Sequence, residues 1–169
     1  LGRFLAPVPF SSSVYLFTEA IINFANEDIK KNILPKLVTG EIVGTFAVAE
    51  DLTAPTKENL ALSSEDNLIN GKKIAVPDAE IATHVLVVAK TKQGTSIQLV
   101  DLSAKGVAVE HQENIDESRG HYSITFDNAK SELIGDEVGG WDIYESIVSQ
   151  AAVLFSYEQI GGSQAALDM

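Results

Sequence analysis

The residues most able to do chemistry in this chain are three histidines, two glycine pairs and a long roster of carboxylates. His84, His111 and His121 have no metal-ligand spacing, and none stands beside a serine in a nucleophile motif. Each therefore reads as a surface or strand-facing histidine. Gly139-Gly140 and Gly161-Gly162 lack the G-x-G-x-x-G pattern, and no βαβ unit leads into them, which excludes a dinucleotide fingerprint. The chain has no cysteine, so disulfides, thiolate metal sites and cysteine nucleophiles are excluded. Glu158 lies in an apolar helical stretch and needs a partner; a helix–helix hydrogen bond is the expectation, rather than catalysis. Arg119-Gly120 reads as a loop-fixing pair. No catalytic residue and no metal ligand follows from these patterns.

Composition narrows the partners. Net charge is −12, from 24 acidic and 12 basic residues. That field repels a phosphate backbone, and no Lys/Arg cluster stands against it, so nucleic acid is not an expected partner. A local cationic pocket for a phosphorylated ligand remains compatible with it. Hydrophobic residues make up 45% of the 169, enough for a real core. No apolar run approaches the roughly 20 residues of a membrane span. The opening Leu1–Pro7 is not a signal peptide, and the lack of cysteine fits a reducing, cytoplasmic setting. The chain starts without Met and closes inside a helical pattern at Ala165–Met169, so a piece of a longer protein is expected.

The elements that must position any site fall into three blocks. Residues 1–41 are helical. Pro7 and Pro9 make the chain extended, and a helix begins among Ser11, Ser12 and Ser13, any of which can cap it. Val14, Phe17, Ile21 and Phe24 form its apolar stripe. Asn26 caps a second helix with Ile29, Ile33 and Leu37 buried; Pro35 should kink or shorten it, and Gly40 ends it. Residues 42–135 read as short strands at turn-marked intervals: Val43–Glu50, a segment near Leu60–Ser63, Leu68–Val76, Ala82–Ala89, Ser96–Asp101, Val107–His111 and Tyr122–Phe126. Asn70-Gly71 is the expected two-residue turn of a hairpin, since both residues tolerate φ > 0. Residues 136–169 return to a helical period, with Tyr144, Ile147, Ala151 and Leu154 on one stripe and Gly161-Gly162 permitting close approach of another segment. The predicted class is α+β: a small antiparallel β-barrel flanked by helices.

This order, with five local stretches, resembles the acyl-CoA dehydrogenases. Asn32–Glu41 resembles the family's "LPxLxxGE" entry to its middle domain, and Phe46–Glu50 its "FALTE" strand. Ile69–Lys73 resembles "LNGxK", Ser123–Gly135 resembles "VxFDxVxVPxxxLLG", and Glu158–Asp168 resembles "AExxGGAQxALD". The resemblance implies a fragment: the end of an N-terminal helical domain (1–41), the middle β-barrel domain (42–135) and the first helix of a C-terminal helical domain (136–169). It implies an oxidoreductase that uses FAD to dehydrogenate an acyl-CoA thioester at Cα–Cβ, with a glutamate as base. It also implies an electron-transfer acceptor protein and a homo- or hetero-oligomer assembled through C-terminal helices.

Carried over by position, the resemblance makes Phe46 and Val48 the cofactor-binding residues, through an aromatic edge and a backbone N–H or C=O. Several neighbours depart from the family. Ala49 stands where a flavin-bonding Thr is usual, Ala54-Pro55 where a Gly-Ser pair is usual, and Ala75 and Pro77 where the Trp and Thr of "WITN" are usual. Ala151-Ala152 replaces the Glu-Arg pair that supplies an alternative base, and the base of most members would lie beyond Met169. A second expectation follows from these losses: a non-catalytic or degenerate subunit of a heteromeric dehydrogenase with a weakened flavin site.

Overall fold

The computed structural model describes residues 1–115 and 118–169. After a 3-10 turn at Gly2–Phe4, a π-helical stretch Ser11–Thr18 runs directly into α1, Glu19–Phe24. The wider π winding moves the apolar stripe, so Tyr15, Phe17, Ala20 and Ile21 are buried while Val14 is exposed. The serines do not cap this helix. They tie it to its neighbours instead: Ser12 Oγ donates to Asp78 at 2.6 Å, and Ser13 Oγ accepts from the Gly44 N–H at 3.2 Å. In α2, Glu27–Thr39, the Asn26 side chain accepts from the Ile29 N–H at 2.9 Å, and Gly40 closes the helix in the left-handed region, both as predicted. Pro35 sits inside it without ending it, and the helix continues to Thr39.

The strands are β1 (Gly44–Ala47), β2 (Ser63–Glu65), β3 (Leu68–Pro77), β4 (His84–Lys90), β5 (Thr95–Asp101), β6 (Val107–Gln112), β7 (His121–Lys130) and β8 (Glu132–Ile134). Among the described residues they form one eight-stranded sheet in the order β6-β7-β3-β2-β4-β5-β8, with β1 also on β4. The α+β class holds, but the sheet is not closed by hydrogen bonds: β6 and β8 are its ends. It is also not purely antiparallel. The long connection after β1 carries the chain away before β4 returns beside it, which makes β1 and β4 parallel.

The hairpin turn lies four residues upstream of the expected place. Asp66 (φ 51°) and Asn67 (φ 60°) supply the two left-handed positions between β2 and β3. Asn70-Gly71 is inside β3, where Asn70 Oδ1 accepts from the Asn128 N–H at 2.8 Å across a bulge in β7. Gly71 has φ 139°, and a Cβ there would meet the Leu62 Cα at 2.9 Å.

The strands divide two cores. Leu86 and Val88 of β4 face the helices with Phe17, Ile21, Phe46, Ile97, Leu99, Ile134 and Ile147. Val85, Val87 and Ala89 of the same strand face Leu62, Ile69, Val76, Tyr122, Ile124 and Phe126. A strand buried on both faces is what the apolar, β-branched run at Ala82–Ala89 predicts. The final helix α3, Gly140–Leu167, presses its start on β5: a Cβ on Gly140 would stand 2.4 Å from the Ser96 backbone. Farther along, the Gly161-Gly162 pair admits the N-terminal segment, with a Gly161 Cβ 3.0 Å from the Arg3 nitrogen. No helix of the described residues is long and apolar enough to cross a membrane.

Candidate functional site

The segment Phe46–Glu50 leaves β1 between the two cores. Gly44 precedes it because the Phe17 ring lies where a side chain would go; an added Cβ would be 2.1 Å from the Phe17 Cγ. Phe46 is 5% exposed, its ring tilted 31° against Tyr144 of α3 at 5.9 Å, and Tyr144 in turn packs on Trp141 at 5.1 Å. Its ring is thus packed in the helix-side core. Val48, Ala49 and Glu50 are half-buried, and Val48 and Glu50 line a shallow recess with Leu60.

Beneath this segment lies a group that sequence reasoning missed. Lys73 is fully buried, and its Nζ donates to the Val48 carbonyl at 2.9 Å and to Glu50 Oε1 at 2.7 Å. Glu50 in turn accepts from the backbone N–H groups of Ala61 (2.7 Å) and Leu62 (3.1 Å), closing the ends of the 51–62 loop. Burial pulls the Lys73 ammonium down to about 8, with the hydrogen bond and charge of Glu50 opposing it. One signal was available: Ile69 and Lys73 stand four apart on β3, so a lysine shared a strand face with an apolar residue.

The Ala49 peptide is held on both sides. The Val48 carbonyl is taken by Lys73, and the Ala49 carbonyl accepts from the Ile74 N–H at 2.8 Å. Among the described residues the Ala49 N–H has no hydrogen-bond partner. Ala75 lies at a bulge in β3 with φ 52°; it is exposed, and its N–H is held by Gln112 Oε1 at 2.8 Å. Pro77 offers only a carbonyl, which accepts from Thr45 Oγ1 at 2.7 Å. Phe46 and Ala75 therefore face different surroundings, and neither Ala75 nor Pro77 brings a polar side chain toward Val48.

The remaining candidates stay structural. Glu158 Oε1 accepts from the Tyr15 hydroxyl at 3.3 Å, the helix–helix bond expected of it. Arg119 donates to Ser11 Oγ (2.6 Å) and the Val8 carbonyl (2.8 Å), fixing the loop before β7 to the N-terminal segment. His84 and His111 line one open cavity of about 600 Å³ with Asp101 and Tyr122. The Tyr122 hydroxyl donates to Glu80 at 2.6 Å, and that bond, with burial, pushes the phenol up to about 12. Among the described residues no three metal-ligating side chains come together.

This arrangement of helices, divided sheet and long closing helix is the acyl-CoA dehydrogenase fold. The glutaryl-coenzyme A dehydrogenase in its glutaryl-CoA complex superposes on 99% of this chain with a TM-score of 0.90 at 21% identity. An FAD-dependent dehydrogenase superposes on 99% with a TM-score of 0.89, also at 21% identity. In sequence, the chain is 26% identical over 187 aligned residues to an acyl-CoA dehydrogenase of Bacillus subtilis strain 168, a match that takes in 99% of this chain. The family resemblance read from the five stretches thus recurs across the whole chain. No family model matches the sequence. The chain spans about half the length of these proteins: 48% of the Bacillus protein, and 46% and 49% of the two solved structures.

Proposed function

We propose that this chain is part of a flavin-dependent acyl-CoA dehydrogenase, with residues 1–41 closing a helical domain, 42–135 forming the middle domain and 136–169 opening the next helical domain. The observation that carries this reading is agreement with acyl-CoA dehydrogenases in fold and in sequence over the same 99% of the chain. The substrate class is an acyl-CoA thioester, and the electrons pass to an acceptor protein. Bound FAD would supply hydride acceptance from the acyl Cβ.

In this chain the recess at Val48 is lined by Glu50, Asp51, Thr53 and Asn59, so what the segment offers such a ring is backbone rather than side chains. Val48 is half-buried at this shallow recess, and among the described residues the Ala49 N–H beside it is a donor without a partner. Phe46 supports this segment from below, through Tyr144, rather than meeting a ligand with its own edge. Among the described residues none is placed to remove a proton, so this reading assigns the base to another part of the protein.

A second reading, a non-catalytic subunit with a weakened flavin site, is favoured by one set of residues. Ala49, Ala75 and Pro77 together provide neither a hydroxyl nor an indole at the positions where the resemblance places them. The full-length protein separates the two. Purified with bound flavin and bleached anaerobically by an acyl-CoA, it is a dehydrogenase in its own right. Colourless protein that gains flavin only when co-expressed with a homologous subunit supports the second reading. Protein that takes up no flavin under either condition sinks both.

A further inference from the structure

We propose that Glu50 is the latch of a lid. Residues 51–59 open and close as one unit between two fixed ends, and the Glu50 carboxylate, seated by Lys73, keeps them shut. The latch is independent of the flavin reading above.

Three observations carry it. First, the loop is tied only to itself. The Thr53 N–H donates to Asp51 at 2.7 Å, the Thr56 N–H to Asn59 at 2.8 Å, and the Asn59 amide to Thr53 and the Ala54 carbonyl. Among the described residues no hydrogen bond of 51–59 reaches the rest of the protein. Pro55 is half-buried and its loop neighbours are exposed, Leu52 completely, so little apolar contact holds the loop down. Second, both ends are posts. On one side the Ala49 carbonyl accepts from the Ile74 N–H at 2.8 Å; on the other, Leu60 and Leu62 are buried and the Leu62 carbonyl accepts from the Lys90 N–H at 2.8 Å. Third, one side chain spans the gap between the posts. Glu50 accepts from the Ala61 N–H at 2.7 Å and the Leu62 N–H at 3.1 Å, and the fully buried Lys73 donates to it at 2.7 Å.

Few buried apolar contacts and solvent-exposed hydrogen bonds lower the cost of opening a segment locally, while buried posts stay with the sheet. The charges set how this segment opens. Apolar side chains of the same volume would fill the space around Lys73 as well, so bulk stability does not require the pair. What a carboxylate adds is a grip that is made or lost as a whole: it holds both amides while it faces Lys73, and frees both when it turns to water. Among the described residues Lys73 pairs with no other carboxylate, so Glu50 has no substitute in this role.

The test is native-state hydrogen exchange of the full-length protein as purified, in small steps of urea. The Ala61 and Leu62 amides should exchange through openings that urea barely accelerates, because lifting residues 51–59 exposes little surface. The Val87 amide, inside the sheet, should exchange only through urea-sensitive openings. Glu50→Gln should speed the Ala61 and Leu62 amides by about tenfold or more and leave Val87 at its wild-type rate. Trypsin should cut that variant after the exposed Lys57 faster by a similar factor. Wild-type Ala61 and Leu62 amides with the urea dependence of Val87 would mean that the loop opens only when the sheet does, which overturns the proposal whether or not the variant folds. A folded Glu50→Gln with wild-type exchange at Ala61 and Leu62 and a wild-type cutting rate overturns it too. So does a variant in which Val87 speeds up by the same factor as the loop, since Glu50 would then support the whole fold and latch nothing.

Discussion

Single residues here carry roles that their types did not announce. Lys73 looked like one of two hairpin lysines, yet it is the buried partner of Glu50 and of the Val48 carbonyl. Its role depends on the fold of β3 across the end of β1, a contact between residues 25 positions apart. The serines at 11–13 matched a capping pattern, but Arg119, Asp78 and the Gly44 N–H draw their hydroxyls into tertiary bonds. His84 yields a prediction at this scale. Burial holds its imidazole below the ordinary range; Asp101 and Glu132 oppose that, and Lys36 reinforces it. The folded pKa lies below the unfolded value of about 6.5, so the unfolded chain takes up the proton first. The contribution of the neutral ring is complete above that value and is lost as pH falls below it. Urea midpoints of the full-length protein should therefore drop from pH 7.5 toward pH 5, and drop less in His84→Gln. Parallel curves for the two proteins would rule this out.

Among the elements, legibility tracks how local the determinants are. α2 was readable because Asn26, Glu27, Asp28 and Gly40 act within a few residues of the bonds they satisfy. The strands were readable from alternation: Tyr122, Ile124 and Phe126 do share the inner core. The hairpin turn was not, because Asp66-Asn67 and Asn70-Gly71 both tolerate positive φ, and pairing with β7 decides between them. The π-helical winding of Ser11–Thr18 was equally hidden, since it brings Tyr15 and Phe17 inward only when β1 and α3 are there to receive them. The seat of Phe17 over Gly44 gives a test of that packing. Gly44→Ala should cost about 1–3 kcal/mol in chemical denaturation of the full-length protein, because the new methyl meets a fixed ring. Phe17→Leu in the same protein should recover part of the loss, a non-additive pair. Strictly additive costs would mean that the two residues do not share the space.

For the molecule as a whole, charge is the most direct consequence of composition. The net −12 at neutral pH falls to zero near the sequence pI of about 4.5. Self-repulsion disappears there while exposed apolar side chains such as Val153, Tyr157 and Ile160 on α3 remain. Light scattering of this 169-residue chain should rise steeply as pH approaches that value and fall again when salt-free buffer is returned to pH 7. Scattering that does not change with pH would show that charge is not what keeps copies apart. The sequence by itself determined the α+β class, the block order of helices, strands and helix, and the family resemblance, because periodicity, caps and short motifs are local properties of the chain. Only the tertiary structure decided that β1 runs parallel to β4, that the sheet stays unclosed, and that Lys73 lies under the Ala49 peptide. Those are contacts between distant positions, settled by which apolar faces are buried together and which polar groups must then find each other away from water.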